Sequence, residues 1–130
     1  TELLKHIRNI RWFLHADEYK TPENKERYDW YVDNLLYKVT LLPTGEVTLI
    51  TKGNPSGQIS TTTDNNMVNT FLTAFEIGYF FKKQHGRAPT IQEYRENIDS
   101  ICYGDDRLLV YNSSWVDYNV NDVPSMYKKV

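Results

Sequence analysis

A length of 130 residues suffices for one domain at most with a modest core, and 15 Lys and Arg against 17 Asp and Glu leave a formal net charge of −2. That balance excludes the global basic footprint of an autonomous nucleic-acid binder, so any such contact must use local charge or another part of a longer protein. The single cysteine, Cys102, excludes an intramolecular disulfide framework and fits a reducing setting, and neither a signal-peptide pattern nor a bilayer-length apolar run occurs.

Leu3, Leu4, Ile7, Ile10, Phe13 and Leu14 recur at helical spacing after Thr1 and predict an amphipathic helix reaching about His15, with Lys5, Arg8 and Arg11 largely off the apolar stripe. Thr21-Pro22-Glu23 reads as cap, first-turn proline and an acid at the positive helix end, opening a second helix. Its buried face is expected to be Tyr28, Tyr31, Val32, Leu35, Leu36 and Val39, an aromatic stripe suited to a core rather than to stacking on bases. Residues 38–42 and 47–51 flank the turn composition Pro43-Thr44-Gly45-Glu46 and predict a hairpin.

A polar, small-residue loop from Lys52 leads into a long helix from Asn65, with Met67, Val68, Phe71, Leu72, Phe75, Gly78 and Phe81 as its apolar stripe. Residues 86–89 break it, and Thr90-Ile91-Gln92-Glu93 is a capping box for a short helix. Two apolar runs, residues 98–102 and 108–111, then enclose Tyr103-Gly104-Asp105-Asp106 as a second hairpin, with Cys102 expected to be buried beside Ile101. Residues 112–124 read as a polar loop, and a further helix is expected to start at Ser125. The pattern is α+β, antiparallel hairpins packed against helices. The chain opens without an initiator methionine and closes inside that last helix, so it is expected to be a fragment.

Two segments carry candidate chemistry. Asp105 and Asp106 put two carboxylates at a hairpin tip, where oxygen ligands can hold hard divalent cations, although Gly and Asp are also ordinary turn residues. In the loop, Gly53, Pro55 and Gly57 let the backbone bend toward a ligand, while Ser56, Ser60, Thr61 and the helix N-terminal amides offer donors for phosphate or ribose oxygens. The plain alternative is a capped helix after a polar loop. His6, His15 and His85 are isolated and form no transition-metal pattern, and Ser56 lacks the context of a hydrolase nucleophile.

Taken together, Ser56-Gly57, Thr61 and Asn65 followed by Tyr103-Gly104-Asp105-Asp106 resemble motifs B and C of viral RNA-dependent RNA polymerases. The longer strings from Gly53 to Thr62, Asp64 to Asn69, and Asp105-Asp106-Arg107-Leu108 resemble the astrovirus polymerases of positive-strand RNA viruses in particular. The resemblance implies a partial palm subdomain of a right-hand polymerase, divided as residues 1–38 (helices after a missing motif A), 39–51 (hairpin), 52–85 (motif B loop and helix), 90–112 (helix and motif C hairpin) and 113–130 (loop and start of the next helix).

It further implies two-metal, template-directed nucleotidyl transfer for genome replication and transcription. Asp105 would coordinate Mg²⁺, or Mn²⁺ in its place, Asp106 would help set the acidic field with a less direct metal contact, and Tyr103 and Gly104 would support the hairpin. Asn65 would read the ribose 2′-hydroxyl with Ser56 and Thr61, Gly57 would supply the loop's bend, and Asn69 belongs either to that face or to polar surface. The motif A aspartate is expected upstream of Thr1 and the motif D base beyond Val130, so the fragment alone is expected to be inactive. The implied partners are RNA template and primer, ribonucleoside triphosphates, the remainder of the polymerase chain and other viral replication proteins. The implied location is the host-cell cytoplasm, in membrane-associated replication complexes held through other segments. Two rival readings stay open: a reverse-transcriptase-like polymerase, against which Asn65 argues, and a noncatalytic RNA-binding or scaffold domain.

Overall fold

Thr1 precedes a run whose first turn carries Glu2 and whose last turn carries Arg11, charges that suit the two ends of a helix dipole, and α1 spans Glu2–Phe13. It stops short of His15 because the backbone tightens there, the N–H groups of Leu14 and His15 donating to the carbonyls of Arg11 and Trp12. In this computed structural model residues 1–129 are described, and Val130, the end of the expected last helix, lies outside them. The chain forms two compact units, Thr1–Val68 and Asn69–Val130.

In the first unit a 3₁₀ turn, Asp17–Tyr19, leads to α2, Pro22–Leu36, capped by the Thr21 hydroxyl accepting from the Asn24 N–H at 3.2 Å. Leu4, Val32 and Leu36 form the core, with Tyr28 and Tyr31 packed against it. The aromatic face of α2 is therefore core, and the Tyr28 hydroxyl is satisfied by the Arg8 carbonyl at 2.7 Å. Val39 departs from that face: it lies in β1, Lys38–Leu41, and is 78% exposed. The helical period ends at Tyr37, and strand alternation takes over. β1 pairs antiparallel with β2, Val47–Ile50, opposing Val39 to Leu49 and Leu41 to Val47, and all four of these side chains are exposed.

Arg8 is the larger correction. Expected off the apolar stripe, it is only 2% exposed, because the fully buried Asp64 accepts from it and from Arg11 Nη1, the latter at 2.7 Å. α3, Thr61–His85, starts four residues before Asn65, and its first turn contains Asp64, whose N–H donates to the Ser60 carbonyl at 2.9 Å.

In the second unit the core is Ile77, Phe80, Phe81, Ile98, Val116, Tyr118 and Met126. The buried face of α3 is Thr73, Glu76, Ile77, Phe80 and Phe81, whereas Phe71 and Phe75, expected in the stripe, are exposed. The face is rotated because partners from other elements satisfy Thr73 and Glu76, so two polar residues take positions the apolar pattern assigns to hydrocarbon. α4, Ile91–Asn97, opens on the expected capping box of Thr90 and Glu93. The Arg87 guanidinium, followed by the Thr90 N–H, holds the Glu93 carboxyl down to about 2.

β3, Ile98–Tyr103, and β4, Asp106–Tyr111, form the second hairpin, opposing Ile101 to Leu108 and Tyr103 to Asp106. Cys102 is half-buried rather than buried, with its Sγ 3.6 Å from the Thr70 hydroxyl. The segment read as a polar loop instead enters the core through Val116 and Tyr118, and contains a 3₁₀ turn, Val120–Asp122. α5, Val123–Tyr127, begins two residues before Ser125, with Pro124 in its first turn. The α+β class, two antiparallel hairpins with helices, is as the sequence reads.

Candidate functional site

The hairpin tip is a two-residue turn of Gly104 and Asp105, with Gly104 at φ 64°. A left-handed glycine at the first central position matches the twist of the flanking strands, so the turn closes without splaying them. Strand alternation then puts Tyr103 and Asp106 on one face and Cys102 and Arg107 on the other. Asp105 and Asp106 are both exposed, and neither carboxylate has an ion-pair or hydrogen-bond partner among the described residues. Beside them, Ile101, Tyr103, Asp106 and Leu108 border an open concavity of about 500 Å³.

Two devices hold this tip from behind. The Asn69 Nδ2 lies 3.2 Å from each of the carbonyl oxygens of Gly104, Asp105 and Asp106. Next to Asp106, the Arg107 guanidinium donates to the Thr73 hydroxyl at 2.7 Å and to Glu76 Oε2 at 2.8 Å. Glu76 also accepts from the Tyr118 hydroxyl at 2.8 Å and the Tyr127 hydroxyl at 3.0 Å. Burial, and then the Glu76 carboxylate that each hydroxyl faces, push both tyrosines up to about 12.

The donor set at the tip fits a hard divalent cation in kind, since two adjacent carboxylates offer oxygen and nothing softer. It is incomplete in number. Among the described residues no group of three His, Cys, Asp or Glu side chains could hold a metal ion, so further ligands must come from water, substrate or other protein segments.

The loop before α3 is built differently from the expectation. The left-handed backbone falls on Gly53, at φ 73°, and not on Gly57. Lys38 Nζ fastens this bend by donating to the carbonyls of Lys52 and Gly53, at 3.2 and 2.9 Å. Thr61 turns its hydroxyl back into the loop, onto the carbonyls of Pro55 and Gln58, while Ser56 and Gly57 are exposed. Asn65 is half-buried, and its Oδ1 accepts from Asn54 Nδ2 at 2.9 Å. Among the described residues no hydrogen bond joins the side chains of Ser56, Thr61 and Asn65 to one another, because the Thr61 hydroxyl is taken up by loop carbonyls. Asn54 and Asn65 instead line a cavity of about 240 Å³ together with Leu4, Leu36, Gly53 and Val68.

Reading the sequence missed Asn54, Gln58, Asp64 and Arg8 as one assembly. Gln58 Nε2 donates to Asp64 at 2.8 Å, and its Oε1 accepts from the Ser60 N–H at 2.8 Å and the Tyr31 hydroxyl at 3.1 Å. The available signal was spacing, since Arg8 and Arg11 continue from Leu4 at i+4 and i+7, on the stripe rather than off it.

Comparison with known proteins bears on these motifs. Residues 4–130 match the family described as viral RNA-dependent RNA polymerase. The non-structural polyprotein 1AB of Turkey astrovirus 1 is 55% identical over 130 residues, covering 99% of this chain and 8% of that protein. The polyprotein 1AB of Turkey astrovirus 2 is 56% identical over 124 residues, covering 95% of this chain and 8% of the relative. That of Human astrovirus-1 is 46% identical over 129 residues, covering 98% and 8%. The chain thus spans only about 8% of the length of these relatives. No solved structure matches.

Proposed function

The chain belongs to the viral RNA-dependent RNA polymerase family, and with that membership as premise we propose that it supplies part of the catalytic palm of an astrovirus RNA-directed RNA polymerase. The reaction is template-directed nucleotidyl transfer: the primer 3′-hydroxyl attacks the α-phosphate of a ribonucleoside triphosphate in line, and pyrophosphate leaves. Asp105 and Asp106 would hold Mg²⁺, or Mn²⁺ in its place, together with carboxylate ligands from elsewhere in the polymerase. Bound there, the metal supplies neutralisation of the triphosphate and a more acidic attacking hydroxyl.

The remaining roles belong to the chain's own groups. The turn at Gly104 leaves the Asp105 carboxylate exposed at the tip and the Asp106 carboxylate exposed at the start of β4, and Asn69 and Arg107 hold this tip in place. Asn65 hydrogen-bonds the ribose 2′-hydroxyl, which is the only sugar group that separates RNA precursors from DNA precursors. The exposed Ser56-Gly57 stretch is the part of the loop free to meet the incoming nucleotide. The observation that carries the reading is a pair of exposed, unpartnered carboxylates on a turn that is otherwise fastened at every backbone carbonyl.

Template and primer RNA, ribonucleoside triphosphates, the rest of the polymerase chain and other replication proteins are the proposed partners. No helix among the described residues is long and apolar enough to cross a membrane. We assign membrane association, in cytoplasmic replication complexes of the host cell, to other segments of the polyprotein.

The test uses the full polymerase. Asp105→Ala is expected to lower single-nucleotide incorporation on a primed RNA template by about 10²–10³-fold or more, the scale of losing one preorganised charge-stabilising group. Incorporation that survives Asp105→Ala unchanged would sink the assignment and leave the noncatalytic RNA-binding reading.

A further inference from the structure

Gln58 and Asn54 each carry an amide that could sit either way round, and their neighbours decide both. Gln58 Oε1 accepts from the Ser60 N–H at 2.8 Å, while Nε2 donates to the Asp64 carboxylate at 2.8 Å. A backbone N–H can only donate and a carboxylate only accept, so reversing this amide would set donor against donor and acceptor against acceptor. Asp64 is itself fully buried and gripped by Arg8 and Arg11, so the sequence of orientations starts from a group with no freedom to turn.

Oriented in this way, Gln58 Nε2 also donates to Asn54 Oδ1 at 3.4 Å, and Asn54 Nδ2 reaches the Thr61 carbonyl, again an acceptor only, at 3.4 Å. Asn54 therefore turns an N–H toward Asn65, whose Oδ1 accepts it at 2.9 Å. The consequence falls on Asn65. Its amide oxygen is engaged inside the loop, and its Nδ2, with no hydrogen-bond partner among the described residues, is the atom left to meet a ligand.

We propose that Asn54 is a positioning residue for ribose recognition, locking Asn65 with its N–H₂ presented so that the site reads the nucleotide 2′-oxygen as a hydrogen-bond acceptor. This rests on the polymerase reading above. It makes a specific distinction among sugars: a 2′-hydroxyl and, more weakly, a 2′-fluorine can accept from Asn65, and a 2′-hydrogen cannot. Asn54→Asp reverses the arrangement, because a carboxylate cannot donate to Asn65 Oδ1. Asn65 then gives its N–H₂ to the new carboxylate and turns Oδ1 to the ligand. Only a 2′-group that donates is recognised after that reversal, and fluorine does not donate.

The experiment measures kcat and KM for single incorporation of ribonucleotide, 2′-fluoro-2′-deoxynucleotide and 2′-deoxynucleotide triphosphates by the full polymerase, unmodified and as Asn65→Ala, Asn54→Ala and Asn54→Asp. Asn65→Ala is expected to bring the three substrates toward a common kcat/KM. Asn54→Asp is expected to keep the ribonucleotide preference but to lower the fluoro-over-deoxy preference by about tenfold, the scale of one hydrogen bond. Asn54→Ala is expected to weaken both preferences, through KM more than kcat. If Asn65→Ala leaves the three substrates discriminated as before, Asn65 does not read the sugar, and the ribose assignment falls together with this proposal while Asp105→Ala still reports on polymerase activity. If Asn65→Ala removes discrimination but both Asn54 variants keep the unmodified ratios, including by slowing all three substrates alike, only the orienting role of Asn54 is overturned.

Discussion

Asn69 offers two amide hydrogens to three carbonyl oxygens, those of Gly104, Asp105 and Asp106, each 3.2 Å from its Nδ2. The hydrogens must be shared, so no single bond is strong. The value of the contact is collective, because three carbonyl dipoles that converge at a tight turn repel one another until a donor sits among them. Removing that donor with Asn69→Ala is expected to raise amide exchange across residues 103–107 by about tenfold, as the turn loses roughly one hydrogen bond's worth of protection. Asn69→Asp should do more, because it sets a carboxylate against the same three oxygens. Hydrogen–deuterium exchange read by mass spectrometry checks both, and equal exchange at the tip in all three proteins would remove Asn69 from any positioning role. The turn itself was legible in the sequence, since only glycine takes φ 64° without strain. The role of Asn69 was not, because its partners are backbone carbonyls that sequence does not distinguish.

At the scale of the element, the caps of α2 and α4 and the turns of the two hairpins were read correctly, because each interaction there is local. Thr21 before Pro22, and Thr90 with Glu93, close rings of a few residues that no distant partner can alter. The face of a helix was misread where a polar residue is buried through a partner far along the chain. Glu76 breaks the apolar stripe of α3, yet it is buried, because Arg107, Tyr118 and Tyr127 reach it from 31, 42 and 51 residues away. Residues 116 and 118 were read as loop because their segment is polar around them and the apolar residues that bury them, Ile77, Phe80 and Phe81, lie far back along the chain.

This assembly has a pH signature. Tyr118 and Tyr127 are pushed up to about 12 from an ordinary 10, so between those values the folded protein keeps protons that the unfolded chain has released. Their contribution to stability is complete below pH about 10 and is lost as the pH climbs toward about 12. Urea midpoints measured from pH about 9 to about 11.5 are expected to fall more steeply for the unmodified chain than for the double variant Tyr118→Phe, Tyr127→Phe. Identical slopes would mean that the two hydroxyls are not held by Glu76 in solution.

For the molecule as a whole, three properties bear on what the chain can do by itself. Its formal net charge of −2 gives RNA no general attraction. Among the described residues the two tip carboxylates have no third acidic, His or Cys neighbour with which to enclose a cation. Both hairpins leave an apolar face exposed, Val39, Leu41, Val47 and Leu49 on one and Ile101, Leu108 and Val110 on the other, which is surface that a complete core would cover. Each property fits a stretch that spans about 8% of its relatives' length.

The family's sequence signature and the completeness of its active site are therefore separate matters, since a motif can be intact in a segment that lacks the ligands, the channel and the covering layers around it. The expected outcome is that the isolated chain, supplied with primed RNA template, ribonucleotides and Mg²⁺ or Mn²⁺, incorporates nothing. The full polymerase under the same conditions is expected to incorporate, and its Asp105→Ala form to do so at least about 10²–10³-fold more slowly. The Asp105 substitution identifies a contaminating activity, which would be indifferent to it. Incorporation by the isolated chain that disappears on Asp105→Ala would mean that two carboxylates, with water and substrate phosphates filling the remaining positions, already make a working metal centre.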